Sequence, residues 1–318
     1  MAFRVARSAA EWRSLAANCA AESAVRGSVV SVGNFDGLHI GHQKIIRAVV
    51  DSARSEKAIA AVITFDPHPL KILRPGAGPA MIMTIAQRVA GFAEYGLDAA
   101  LVMRFDRALA DLSAEEFVRS VLAETVCAKR ILVGANFRFG CKQIGNVDLL
   151  TQLGAEHGIE VEIMSAAEVG GKPVSSTEIR RAVSEGNILD ASKLLGHSFT
   201  FTGNVHAGAG RGSKIVFPTL NLAVEQELLP ARGVYATESV IDGRTFRSVT
   251  NIGVRPTFDG QGLSVESHLF DFSETVTSGR MEVRFWKHLR DERKFDGADA
   301  LKAQIRLDML AAKEFFKA

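Results

Sequence analysis

The chain is poor in cysteine. Cys19, Cys127 and Cys141 are all it has, an odd number without paired metal-ligand spacing. That argues against a disulfide framework or a zinc site and fits a reducing compartment. The chain also lacks any apolar run near the roughly 20 residues that a bilayer span requires, and it has no secretory apolar core. Arg4, Arg7 and Arg13 stand among alanines and serines as in a transit peptide, but Glu11 and Glu22 break that pattern. Charge of one sign is missing as well: the formal net charge is +2, which gives no support for a nucleic-acid partner. The expectation is a cytoplasmic protein that acts on neither membranes nor nucleic acids. With 318 residues, 47% hydrophobic and 23% charged, it reads as an ordinary globular chain of one large or two ordinary domains.

What is present is concentrated in Ser31–Gln43, which reads SVGNFDGLHIGHQ. The apolar run Val29, Val30 and Val32 precedes it, and Ile45, Ile46, Val49 and Val50 follow on one side of an expected helix. A buried strand passing through a glycine-rich turn into a helix is a phosphate-binding arrangement. Gly33 and Gly37 let the backbone turn tightly, and the helix start after Ile40 offers free N–H groups. Gly33, Asn34, Phe35, Asp36 and Gly41 all lie in this turn, around the two histidines. His39 and His42, three apart at the helix start, can turn both rings to one anion. Such a turn suits the stabilisation of negative charge developing on a phosphate.

Strand and helix patterns alternate from there. Strands are expected at Ala58–Phe65, Ala99–Phe105, Arg130–Val133 and Ile159–Met164, and helices at Ile85–Tyr95, Phe117–Val126 and Val147–His157. Ser113 with Glu116 forms a capping box before the second of these helices. The alternation predicts a parallel sheet covered by helices on both faces, with ligands at the C-terminal ends of the strands. Three further motifs fall at those ends. Thr64-Phe65-Asp66-Pro67-His68-Pro69 is a proline-stiffened turn, and Gly134-Ala135-Asn136-Phe137-Arg138-Phe139-Gly140 is an aromatic-rich loop. In Val174-Ser175-Ser176-Thr177-Glu178-Ile179-Arg180, hydroxyls at a helix start can donate to phosphate oxygens and Arg180 can add a bidentate clamp. Helix capping alone would need only one of those hydroxyls.

Helices on either side of Gly186-Asn187 lead to a stop at Gly196, and the pattern then changes. Short alternating segments at Phe199–His206, Gly233–Ile241, Thr245–Ile252, Leu263–Phe272 and Met281–Trp286, with a hairpin turn at Asp242-Gly243, predict an all-β barrel or sandwich. A final helix, Ala298–Phe316, carries the apolar stripe Leu301, Ile305, Met309, Ala312 and Phe316 for packing on the barrel. Between the first segments lies a glycine-rich loop, Gly203 to Val216, running into Phe217-Pro218-Thr219-Leu220-Asn221.

His39-Ile40-Gly41-His42 resembles the HxGH signature of the nucleotidylyltransferase superfamily, a turn that aminoacyl-tRNA synthetases also carry; this chain lacks their Lys-Met-Ser-Lys-Ser loop. The longer GNFDGLHIGHQ is similar to the form found in the bacterial bifunctional riboflavin kinase/FMN adenylyltransferase family. That resemblance implies an α/β, Rossmann-like HxGH domain over residues 1–186, followed by an all-β riboflavin kinase barrel with a C-terminal helix over residues 187–318. It implies ATP-dependent phosphorylation of riboflavin to FMN, then in-line attack of FMN on the ATP α-phosphate to give FAD and pyrophosphate.

By the same resemblance, His39 and His42 stabilise the transferring phosphate, Gly33, Asn34, Phe35, Asp36 and Gly41 contact ATP and its phosphates, Ser176, Thr177 and Arg180 hold the triphosphate, and Asp66, His68 and Asn136 border the flavin. In the barrel, Thr219 and Asn221 match the family's Pro-Thr-x-Asn and would stand by Mg2+, Gly210 and Gly212 belong to a loop wrapping ATP, and Glu266 would be the catalytic base. Riboflavin, FMN, FAD and ATP are the implied small-molecule substrates and products. The chain departs from the family at Val216, where glycine is usual, at Ser213, where arginine is common, and at Leu220, where alanine is common. Those departures leave room for a barrel that is a weak kinase or a flavin-binding regulator.

Overall fold

The computed structural model describes residues 2–23, 25–206, 218–257, 260–274 and 276–317. They form two compact units, one of residues 1–80 and 85–174 and one of residues 81–84 and 175–318.

The first unit is built on six parallel strands: β1 (Arg4–Ala6), β2 (Ser28–Val32), β3 (Ile59–Asp66), β4 (Ala99–Arg104), β5 (Ala128–Gly134) and β6 (Glu160–Met164), in the order β1-β4-β3-β2-β5-β6. All five residues of β2 are buried, as expected for a central strand covered on both faces. From β2 the chain moves outward through β3 to β4, then returns to place β5 on the opposite side of β2. The order therefore reverses between β2 and β5, and the crevice beyond their C-terminal ends is the place where such sheets bind ligands. Helices Ile40–Glu56, Ile85–Glu94 and Val147–Glu156 connect the strands, and a two-stranded hairpin of β7 (Glu168–Val169) and β8 (Lys172–Pro173) closes the unit.

Two features depart from the expected pattern here. β1 was not foreseen: three residues are too few to leave a periodic signature, yet they pair with β4, and Trp12 of the following helix is buried in the core. The expected helix Phe117–Val126 is a single α-turn, Ala114–Phe117, running into a π-helix, Val118–Thr125. The Ser113–Glu116 capping box starts it, with both reciprocal bonds present.

The second unit opens with helices Ser176–Ser184 and Ile188–Leu195, parted at Gly186-Asn187 and stopped by Gly196 in the left-handed conformation. Six strands then close a barrel: β9 (Phe199–His206), β10 (Leu220–Val224), β11 (Gly233–Ile241), β12 (Arg244–Thr257), β13 (Gly260–Leu269) and β14 (Arg280–Asp291), in the order β10-β13-β12-β11-β14-β9. Asp242 and Gly243, with φ of 48° and 74°, make the β11–β12 hairpin turn where two left-handed residues match the strand twist. β10 was not foreseen, because its five residues follow directly on Pro218-Thr219 and read as loop. The helix Ala298–Phe315 lays Met309, Ala312, Phe315 and Phe316 against Val234, Ala236, Val249 and Phe270 of the barrel wall.

Candidate active sites

In the first unit, the turn after β2 is held in an uncommon backbone form. Phe35 and Leu38 have φ of 50° and 41°, a region that costs a side chain about 1–2 kcal/mol. Packing supplies the compensation: Phe35 is 2% exposed, edge-on to Phe92 at 5.6 Å and to His42 at 5.2 Å. The turn delivers His39 to the N-cap of the helix Ile40–Glu56, where its Nδ1 accepts the backbone N–H of His42 at 3.3 Å. That N–H is therefore not free for a ligand, as the sequence had suggested for the helix start. A ring that accepts at Nδ1 carries its proton on Nε2. His39 and His42 stack with centroids 3.6 Å apart and planes at 17°. A Cβ on Gly41 would stand 3.2 Å from His39 Cε1 and Nδ1, so glycine is what lets the first ring lie there.

Burial, then His39, then the Arg88 guanidinium hold the His42 pKa well below the usual histidine value. His42 Nδ1 is enclosed with no hydrogen-bond partner among the described residues. An N–H there would be a donor without an acceptor, so the proton of the neutral ring belongs on Nε2. Both rings are thus neutral-ring donors through Nε2.

The turn after β3 adds His68, buried, whose Nδ1 caps the helix Pro69–Leu73 by accepting the Leu70 N–H at 3.2 Å. Its Nε2 lies 3.1 Å from Asn34 Nδ2, while Asn34 Oδ1 has no partner among the described residues. Since the His68 proton sits on Nε2, a half-turn of the amide lets Oδ1 accept it and leaves the Asn34 N–H donors to a ligand. The structure thus brings Gly33, Asn34, Phe35, Asp36, His39, Gly41 and His42 into one turn and joins His68 to it through Asn34. Asp66 ends β3, half-buried. Asn136 is exposed in the loop after β5, whose Phe137 and Phe139 rings stack at 5.6 Å.

Ser176, Thr177 and Arg180 lie in the second unit, in the first turns of the helix Ser176–Ser184. Ser175 is the residue that caps it, accepting the Glu178 N–H at 3.3 Å.

The barrel sets Asn221, Glu266 and Asn251 side by side on β10, β13 and β12, in direct cross-strand register. Thr219 Oγ1 donates to Glu266 Oε2 at 3.4 Å, and Ser264 Oγ donates to Glu266 Oε1 at 3.0 Å. Asn221 is 7% exposed, and its Oδ1 has no hydrogen-bond partner among the described residues. Buried acceptors are nearly always satisfied, so an oxygen in this state fits a cation. Hard oxygens of Thr219 and Asn221 suit Mg2+, which takes few protein ligands and fills its shell with phosphates and water. Gly210, Gly212, Ser213 and Val216 lie outside the described residues.

A protein-family model for FAD synthetase matches residues 21–178, and one for riboflavin kinase matches residues 195–316. Bifunctional riboflavin kinase/FMN adenylyltransferase from Escherichia coli K12 is 35% identical over 91% of this chain and 93% of its own length. The chain belongs to the bifunctional riboflavin kinase/FMN adenylyltransferase family. The Pseudomonas fluorescens and Haemophilus influenzae members are 36% and 33% identical, covering 91% and 93% of this chain. A crystal structure from Streptococcus pneumoniae, described as a macrolide-efflux protein, has a TM-score of 0.83 at 31% identity, covering 90% of this chain and 94% of that one. The efflux name belongs to that protein; no helix among the described residues here is long and apolar enough to cross a membrane.

Two residues that bear on this family's sites escaped the sequence reading. Arg88, 2% exposed, donates to the Asn34 carbonyl at 2.8 Å. His268, two residues along β13 from Glu266, donates through Nδ1 to the Pro218 carbonyl at 2.8 Å and so pins the Pro-Thr-x-Asn segment. Arg88 left no signal, because a lone cation in a helix reads as surface, and His268 lies in the stretch Leu263–Leu269 that resembles the kinase module but carried no role of its own there.

Proposed function

We propose that this chain phosphorylates riboflavin to FMN with ATP and then adenylylates FMN to FAD, the first in residues 187–318 and the second in residues 1–186. Membership of the bifunctional family supports both activities. The observation that carries the adenylyl transfer is the stacked His39–His42 pair at the head of a helix beside the sheet's reversal point.

In that reaction the FMN phosphate attacks the ATP α-phosphate and the bond to pyrophosphate breaks. His39 and His42 donate through Nε2 to the phosphate oxygens as charge builds there, an electrostatic contribution that needs no covalent intermediate. Gly33, Asn34, Phe35, Asp36 and Gly41 shape the cradle, while Ser176, Thr177 and Arg180 bind the triphosphate. Asp66, His68 and Asn136 bound the flavin.

For the kinase, Glu266 accepts the proton of the terminal ribityl hydroxyl as that oxygen attacks the γ-phosphate. Thr219 and Asn221 would hold Mg2+, which when bound neutralises phosphate charge. Gly210 and Gly212, outside the described residues, are assigned to ATP binding. All substrates are small molecules, and the assigned compartment is the cytoplasm.

Time-resolved separation of flavins after adding riboflavin, ATP and Mg2+ tests the whole reading. FMN should appear first and FAD follow. FAD from supplied FMN without any FMN from riboflavin would remove the kinase half, and no product under either condition would remove both.

A further inference from the structure

The helix Ile85–Glu94 buries three residues, Arg88, Gly91 and Phe92, and each meets a different residue of the turn after β2. At spacings of three and four they share one helix face. Phe92 packs edge-on against Phe35. Gly91 leaves the space that Leu38 fills, since a Cβ there would overlap Leu38 Cδ1. Arg88 Nη1 donates to the Asn34 carbonyl at 2.8 Å. Phe35 and Leu38 are the two residues of the turn held at positive φ without being glycine, and such conformations persist only where the surroundings over-determine them.

Arg88 is the polar member of this face, and its reach extends further. The same Nη1 donates to Thr64 Oγ1 at 3.2 Å and to the Phe65 carbonyl at 3.4 Å, and Thr64 Oγ1 itself donates to the Asn34 carbonyl at 3.3 Å. One guanidinium nitrogen thereby ties the C-terminal end of β2 to that of β3. From the first end the chain runs to His39 and His42, and from the second to His68.

We propose that Arg88 is a positioning residue for adenylyl transfer, which with Gly91 and Phe92 moulds the turn that aims His39 and His42. The proposal rests on the adenylyltransferase reading of that turn and supplies what fixes its geometry. Burial lowers the Arg88 pKa while Asp36 and Asp66 act the other way, so its charge is embedded in the site's surroundings. A lysine there offers N–H donors to the same acceptors from a compact ammonium on a differently shaped stem, so it keeps the charge without reproducing the position of Nη1.

The test uses the full chain with Arg88→Met, Arg88→Lys and Thr64→Val, each in a Trp286→Phe background so that Trp12 reports folding of the first unit. FAD formation from FMN and ATP is measured per folded unit, and FMN formation from riboflavin serves as the internal control. Arg88→Met is expected to lower the FAD-forming kcat by roughly 10- to 100-fold, with KM for ATP and FMN within about threefold, in line with the loss of an aiming interaction rather than a binding one. Arg88→Lys should recover part of that loss, Thr64→Val should show a smaller one, and riboflavin phosphorylation should stay within about twofold. Arg88→Met within threefold of the parent overturns the proposal. So does an Arg88→Met loss matched by loss of folded first unit while Thr64→Val keeps full turnover. If the parent itself makes no FAD from FMN, the adenylyltransferase reading has failed instead.

Discussion

The rings of His39 and His42 lie 3.6 Å apart, and the first of them caps the backbone amide of the second. One histidine therefore fixes the other twice, through its ring and through its main chain. This geometry depends on residue 41 having no side chain, because a Cβ would press on His39 Cε1 and Nδ1 at 3.2 Å each.

Gly41→Ala is accordingly expected to push the His39 ring from its place, break the cap and misdirect a donor. Lost capping costs about 1 kcal/mol of stability, and a lost transition-state donor costs on the order of 100-fold in turnover. FAD formation should fall to that extent while riboflavin phosphorylation is unchanged. Retention of more than a third of FAD-forming turnover would show that the two rings need not be stacked.

The lowered His42 pKa has a sign that stability measurements can read. Burial is its largest cause, followed by His39 and Arg88. The unfolded chain binds a proton at His42 near pH 6.5, and the folded chain only well below that. Below about pH 6.5 the unfolded state thus holds more protons, so the full contribution is present above that pH and is lost as pH falls towards the folded value. The slope is bounded by about 1.4 kcal/mol per pH unit for one proton. Followed through Trp12 in a Trp286→Phe background, the denaturant midpoint should drop between pH 7 and 5 more for the parent than for His42→Gln. Parallel curves would mean that His42 titrates normally.

Glu266 stands between the Thr219 and Ser264 hydroxyls, in register with Asn221 and Asn251. Glu266→Gln keeps the shape and removes the base. A general base contributes about 100- to 10,000-fold, so riboflavin phosphorylation should fall by at least the lower figure while FAD formation from FMN stays within about twofold. Kinase turnover that survives the change would displace Glu266 from that role.

Much of this was legible because local signals and global fold agree: the Ser113–Glu116 capping box, the Asp242-Gly243 turn and the alternation that gives the parallel sheet all occur where their residues predict. What stayed hidden depends on distant partners. Arg88 looks like a solvent-facing charge until the fold brings it to Asn34, 54 residues away. His68 looks like part of a proline turn until its ring is seen to cap a helix with one nitrogen and reach Asn34 with the other. β1 and β10 are too short for periodicity to reveal, and only their pairing with β4, β9 and β13 makes them strands.

The last helix is anchored by a charge pair as well as by its apolar stripe. Asp308, 5% exposed, accepts from Arg290 Nε at 2.9 Å and Nη2 at 2.8 Å, and from Gln304 Nε2 at 2.7 Å. Asp308→Ala would leave the Arg290 guanidinium, whose side chain is 20% exposed, without its carboxylate, and removing one partner of a buried pair costs about 3 kcal/mol. Riboflavin kinase activity should then be lost at a clearly lower temperature, and the denaturant midpoint read through Trp286 in a Trp12→Phe background should fall. Glu274→Ala provides the contrast, because Arg244 and Glu274 pair with both side chains about half exposed, 49% and 54%, where water already screens them. That variant should shift the midpoint far less. Equal shifts for the two would assign the helix's attachment to Met309, Ala312, Phe315 and Phe316 alone.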